Sequence, residues 1–97
     1  MNLHIKLRDG FRNDTVTMRV NGDEVYHKSG VSTRLAISYA DAVDIPIEEP
    51  VVTLEVAVQG GPSESAEVRV RRTPFVEVWV QDGVMELRRS DEETPLL

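Results

Sequence analysis

The sequence predicts an all-β fold, a small antiparallel β-sandwich of jelly-roll or immunoglobulin-like type, on three observations. Two turn pairs, Asn21-Gly22 and Asp82-Gly83, each join runs in which apolar and polar residues alternate, the strongest short-range signal for a hairpin. About eight short runs of this kind recur at spacings of about 8 to 12 residues, as in two-sheet sandwiches and small barrels. Ninety-seven residues with 40% hydrophobic content suit one core, so residues 1–97 read as a single domain.

The first run, Met1 to Arg8, points Leu3, Ile5 and Leu7 one way and His4, Lys6 and Arg8 the other, a strand with one buried face. A loop from Asp9 to Asp14 turns the chain into the first hairpin, Thr15–Val20 and Asp23–Lys28. A two-residue turn there opposes Met18 to Val25 and Val16 to His27 inward, and Arg19 to Glu24 and Thr17 to Tyr26 outward. Arg34 to Ala40 reads as a further short strand, because Leu35, Ile37 and Tyr39 alternate and the run is short for a helix. Val43, Ile45 and Ile47 resume the alternation. Pro46 lacks the N–H that a ladder needs, which marks an edge strand or a strand end.

Val52, Leu54, Val56 and Val58 form the cleanest buried row, and Gln59 to Ser65 is a loop by composition. Ala66, Val68 and Val70 supply the next inward row. The hairpin from Pro74 to Ser90 specifies its own register. A two-residue turn at Asp82-Gly83 opposes Val80 to Met85 and Val78 to Leu87 on an apolar face, with Trp79 to Glu86 and Glu77 to Arg88 on the other. A slip of one residue would set Val78 against Glu86. The stretch from Asp91 to Leu97 begins acidic and ends in Leu96-Leu97, a tail either frayed or docked by its leucines.

The totals narrow the function. A net charge of -6 and a pI of about 4.8 repel polyanions, so nucleic acid is not an expected partner. The chain has no cysteine, hence no disulfide or thiolate metal site, in keeping with a reducing, cytoplasmic location. No run approaches the roughly 18 apolar residues of a membrane helix, and the N-terminal alternation is a strand pattern, not a signal peptide.

Catalytic constellations do not emerge. The two histidines, His4 and His27, have no Ser, Thr or Cys nucleophile in a recognisable arrangement, and Gln59-Gly-Gly-Pro lacks the Lys-Ser/Thr ending of a phosphate loop. Asp41, Asp44, Glu48 and Glu49 read as a solvated acidic edge, since no calcium-loop spacing is present. Arg69, Arg71, Arg72, Arg88 and Arg89 read as a charged face interlaced with nearby carboxylates. Their functional counterpart is complementarity with the acidic 41–55 edge in head-to-tail self-association.

One feature points to binding. With Val76, Val78 and Val80 facing inward, Phe75 and Trp79 face outward, accompanied by Glu77, Gln81 and Glu86. Large aromatics among amides and carboxylates on a sheet face suit a protein partner or the stacking of sugar rings. The expectation is a non-catalytic interaction or structural module with no cofactor, self-associating as a homo-oligomer or binding a protein partner. The alternatives are a carbohydrate-binding sandwich that holds a glycan on Phe75 and Trp79, and an accessory domain of an enzyme complex. Two other arrangements compete: a loop around Phe11 or the Leu96-Leu97 tail covers the aromatics, or Trp79 fills the core.

Overall fold

The computed structural model describes residues 1–92; the Leu96-Leu97 cover lies outside them. Eight strands form two four-stranded sheets. They are β1 (Asn2–Leu7), β2 (Asp14–Val20), β3 (Asp23–Val31), β4 (Asp41–Pro46), β5 (Val51–Val58), β6 (Ser63–Arg69), β7 (Phe75–Gln81) and β8 (Val84–Ser90). The strand orders are β4-β1-β7-β8 and β3-β2-β5-β6. Sequence neighbours run in opposite directions throughout. The chain enters at one end of the sandwich, and the 8–13, 32–40, 59–62 and 82–83 connections all lie at the other. Every pairing is antiparallel except β1 with β7, which is parallel. That pairing joins residues 71 apart in sequence, from His4 with Phe75 to Leu7 with Val78, and is the long-range contact on which the first sheet depends.

The core is built from the alternating rows. Leu3, Ile5, Leu7, Val16, Met18, Leu54, Val56, Val68 and Val78 have no exposed surface. Val78 in that set places Trp79 on the opposite face of β7, not in the core. Phe11 is also buried at 2% exposure, so its ring plugs the end of the core and is not a cover for the aromatic face. The loop reaches inward because Gly10 adopts φ +99° and passes so close to β7 that a Cβ there would meet the Val80 carbonyl oxygen at 1.8 Å. Only glycine fits both the torsion and the space.

The β7–β8 register is the one the alternation specifies, with Val78 opposite Leu87, Trp79 opposite Glu86 and Glu77 opposite Arg88. Asp82 and Gly83 both have positive φ, 52° and 75°, as a two-residue hairpin turn requires. Pro46 ends β4, which is an edge strand.

Three expectations need correction. In the β2–β3 hairpin Arg19 pairs with Glu24, but Met18 then pairs with Tyr26 and Val16 with Lys28, because the register shifts at Val25. A bulge there leaves Val25 37% exposed and turns Tyr26 toward the core. His27 consequently moves outward, beside Thr17. Residues 34–40 do not form a strand; they fold into a tight turn closed by the Arg34–Tyr39 bridge, with Ser38 at φ 50° and Leu35 85% exposed. The apolar alternation there has no neighbouring strand to bury it. The 59–65 loop is also shorter than its composition suggests, since β6 already begins at Ser63.

The two lateral seams of the sandwich are closed by polar contacts. Where β3 meets β4, Tyr26 donates its hydroxyl hydrogen to Asp41 at 2.6 Å and Lys28 donates to the same carboxylate at 3.1 Å. Where β6 meets β8, Arg89 donates to the Glu67 carbonyl at 2.7 Å.

Candidate functional site

Strand alternation sets four rows of side chains on the outer face of the β4-β1-β7-β8 sheet. His4, Lys6 and Arg8 come from β1 and its continuation; Phe75, Glu77, Trp79 and Gln81 come from β7. Asp44 and Ala42 flank them on β4, and Val84, Glu86, Arg88 and Ser90 on β8. The parallel β1–β7 register brings His4 beside Phe75 and Lys6 beside Glu77. Arg8, one residue past the strand, falls level with Trp79.

The five residues expected to form one platform separate into three environments. At one end Phe75 is half-buried and stacked on His4, with ring centroids 4.9 Å apart and planes 20° from parallel. His4 is held in turn by Asp44 through Nδ1 at 2.6 Å. At the centre Glu77 is only 5% exposed and ion-paired with Arg8, whose Nε–H also donates to the Ser38 carbonyl at 2.6 Å. At the other end Trp79 is half-buried with two guanidinium groups against its ring, Arg88 at 4.8 Å and Arg8 at 5.8 Å from the centroid. Trp79, Gln81 and Glu86 share a surface depression of about 720 Å³ at the hairpin tip, which also takes in the exposed Val84 and Asp9, Asp82 and Arg88.

Two consequences follow for the chemistry. Each aromatic ring already has a stacked neighbour, so the face is not a pair of open platforms. Glu77 is a structural carboxylate, sealed under Arg8. Cation–π contacts of this kind are worth about 0.5 to 2 kcal/mol each, depending on desolvation, and two of them hold Trp79 upright without burying it in the core.

The residues that sequence reasoning missed here are His4, Arg8 and Arg88. Arg8 continues the outward row of β1, a signal present in the sequence. Its meeting with Glu77 and Trp79 depends on the β1–β7 pairing, for which no local pattern exists.

Elsewhere, the acidic edge is divided among separate partners: Asp41 serves the Tyr26 and Lys28 clasp, and Asp44 serves His4. Among the described residues no three His, Cys, Asp or Glu side chains come together as a metal site. Thr17 and His27 lie 3.0 Å apart, a distance suited to a hydroxyl and a base. They sit on the open face of the second sheet, where among the described residues no third group orients the imidazole. Among the described residues no helix is long and apolar enough to cross a membrane. Comparison with protein families, curated proteins and solved structures finds no match.

Proposed function

We propose that this protein is a non-catalytic interaction module whose contact surface is the outer face of the β4-β1-β7-β8 sheet, and that its first partner is a second copy of itself. The observation that carries this reading is Trp79, half-buried and held between Arg8 and Arg88, with the 67% exposed Val84 next to it at the hairpin tip. Tryptophan, arginine and a bordering apolar residue are the composition of an interface centre. The chain carries -6 overall, and around the Trp79 depression Asp9, Asp82 and Glu86 outnumber Arg88, so the approach of two copies is favoured where this charge is screened.

Strand spacing gives the face a flat footprint of about 400 Å² per copy, about 800 Å² for a pair, which is below the roughly 1,000 Å² of a stable specific interface and suits a weak, transient contact. The association is therefore expected to depend on protein concentration. A glycan platform has less support, because His4 and Arg88 already lie against the rings that sugars would stack on. A partner other than a second copy would use the same Trp79 end.

The test is sedimentation velocity over a range of concentrations in 1 M salt, where surface charge is screened to about 3 Å. The wild-type chain should form a dimer, and Trp79→Ala should remain monomeric while keeping the wild-type circular dichroism spectrum. A Trp79→Ala protein that dimerises like the wild type, or a wild type that stays monomeric at every concentration, would overturn the proposal.

A further inference from the structure

The arginine strip and the acidic edge take on a definite geometry in the fold, separate from the Trp79 face. Along the β3–β4 seam, near the Asn21-Gly22 turn, lies a groove of about 560 Å³. Its floor is Val20, Ile45 and Ile47, and its walls include Val25, Pro46 and Met1. Asp23, Glu48 and Glu49 line its rim, all exposed. Along the opposite seam, between β6 and β8, Arg69, Arg72 and Arg89 converge on a smaller hollow of about 310 Å³ with Glu67 and Thr73. Arg71 is exposed on the same turn. Arg88 departs from the group to cover Trp79, so the strip becomes a corner.

We infer that copies of this chain also associate head to tail, with the Arg69/Arg72/Arg89 corner of one copy seated on the Asp23/Glu48/Glu49 rim of the next. Both features lie at the same end of the sandwich, on its two opposite edges. The movement that joins them is close to a sideways translation, which leaves a free acidic groove at one end of the assembly and a free basic corner at the other. Such a contact is heterologous, and it continues as an open chain unless rotation closes a ring.

Translation also sets β8 beside the β4 of the next copy and β6 beside its β3. Direct continuation of the sheets is blocked where the groove lies. Pro46 has no N–H to give, and the bulge at Val25 breaks the edge of β3. The contact is therefore made by side chains: the aliphatic stems of the arginines cover the apolar walls while their guanidinium groups reach the carboxylates.

The experiment is light scattering at 0.1 M and 1 M salt on a Trp79→Ala parent, which lacks the face contact, and on three variants made in that parent. One reverses the basic corner (Arg69→Glu, Arg72→Glu), one reverses the acidic rim (Glu48→Lys, Glu49→Lys), and one carries both reversals. At 0.1 M the parent should grow in mass with concentration without a plateau, and 1 M salt should abolish the growth. Each single reversal should weaken association by more than about tenfold. Mixing the two single reversals should restore growth as an alternating chain, since the acidic corner of the first variant fits the basic rim of the second and the native rim of the first fits the native corner of the second. The doubly reversed protein should grow again. A parent that stays monomeric at 0.1 M, growth unaffected by either reversal, or single reversals that do not combine on mixing would overturn the inference. Because Trp79 is absent throughout, none of these results depends on the face contact.

Discussion

The two outer faces of this sandwich are made of the same secondary structure and differ in almost everything else. The β3-β2-β5-β6 sheet presents Thr17, Arg19, Thr53, Glu55, Ala57, Ser63, Ser65 and Glu67, short hydroxyls and solvated charges with no aromatic ring other than His27. The β4-β1-β7-β8 sheet presents His4 on Phe75, Arg8 on Glu77 and two guanidinium groups on Trp79. Each face has an ion pair near its centre. Arg19 and Glu55 lie 3.2 Å apart with side chains 43% and 46% exposed. The Arg8 and Glu77 side chains are 11% and 7% exposed. The first pair is an ornament of a wet surface. The second is a buried charge that the fold has to satisfy, and it is overlaid by the aromatic group proposed to bind.

The contrast makes its largest prediction at Glu77. Replacing it by Ala strips a buried guanidinium of its carboxylate, and breaking such a pair from one side typically costs about 3 to 5 kcal/mol. The urea midpoint should fall accordingly, and Arg8→Ala should cost a comparable amount. A loss below about 1 kcal/mol would mean that water reaches the pair and that the two faces are alike.

Between the faces, the Tyr26–Asp41–Lys28 clasp provides a second, smaller test. Desolvation raises the Asp41 carboxyl, but the hydrogen bonds from Tyr26, Lys28 and the Ala42 amide, together with the Lys28 charge, outweigh it and hold the group below the usual carboxylate range. Burial first, then the hydrogen bond to Asp41 and its charge, push the Tyr26 phenol up. For Asp41, the folded value lies below the unfolded one, so its contribution is present above about pH 4 and is lost as pH falls through the folded value. For Tyr26, the folded value is raised, so stability is present below about pH 10 and is lost as pH rises above it. Tyr26→Phe should cost about 1 kcal/mol at neutral pH and flatten both limbs of a denaturation profile against pH. If the profile keeps its wild-type shape, the clasp does not set the pH dependence.

What was legible in the sequence follows from which choices had only one answer. The β7–β8 register was readable because any slip sets a valine against a charge. The β2–β3 register was not, because Val25 and Tyr26 are adjacent and either can face a core; the bulge chose tyrosine, whose hydroxyl finds Asp41 at the rim. Leu35, Ile37 and Tyr39 alternate as a strand does, but alternation says nothing about pairing, and here the segment closes on itself through the Arg34–Tyr39 bridge and pairs with no other strand. Phe75 and Trp79 were correctly placed off the core face. The burial of Glu77 between them was invisible, because it depends on Arg8, 69 residues away, reached only through the parallel β1–β7 contact.

The smallest effect is expected at the pair on the other face, and it completes the comparison. Arg19→Ala removes a half-exposed guanidinium from Glu55 in high dielectric, where the attraction is offset by the freedom that both side chains regain and is weakened further by salt. The loss should be under about 1 kcal/mol, and it should shrink further when ionic strength is raised from 0.1 M to 1 M. The Glu77→Ala loss should hardly change over the same range, since salt does not enter the site where that pair lies. Two carboxylate–arginine pairs of the same chemistry, measured in one protein by one method, would then differ in size and in salt response for a single reason: one face of the sandwich is left to water, while the other is built up with side chains stacked on side chains.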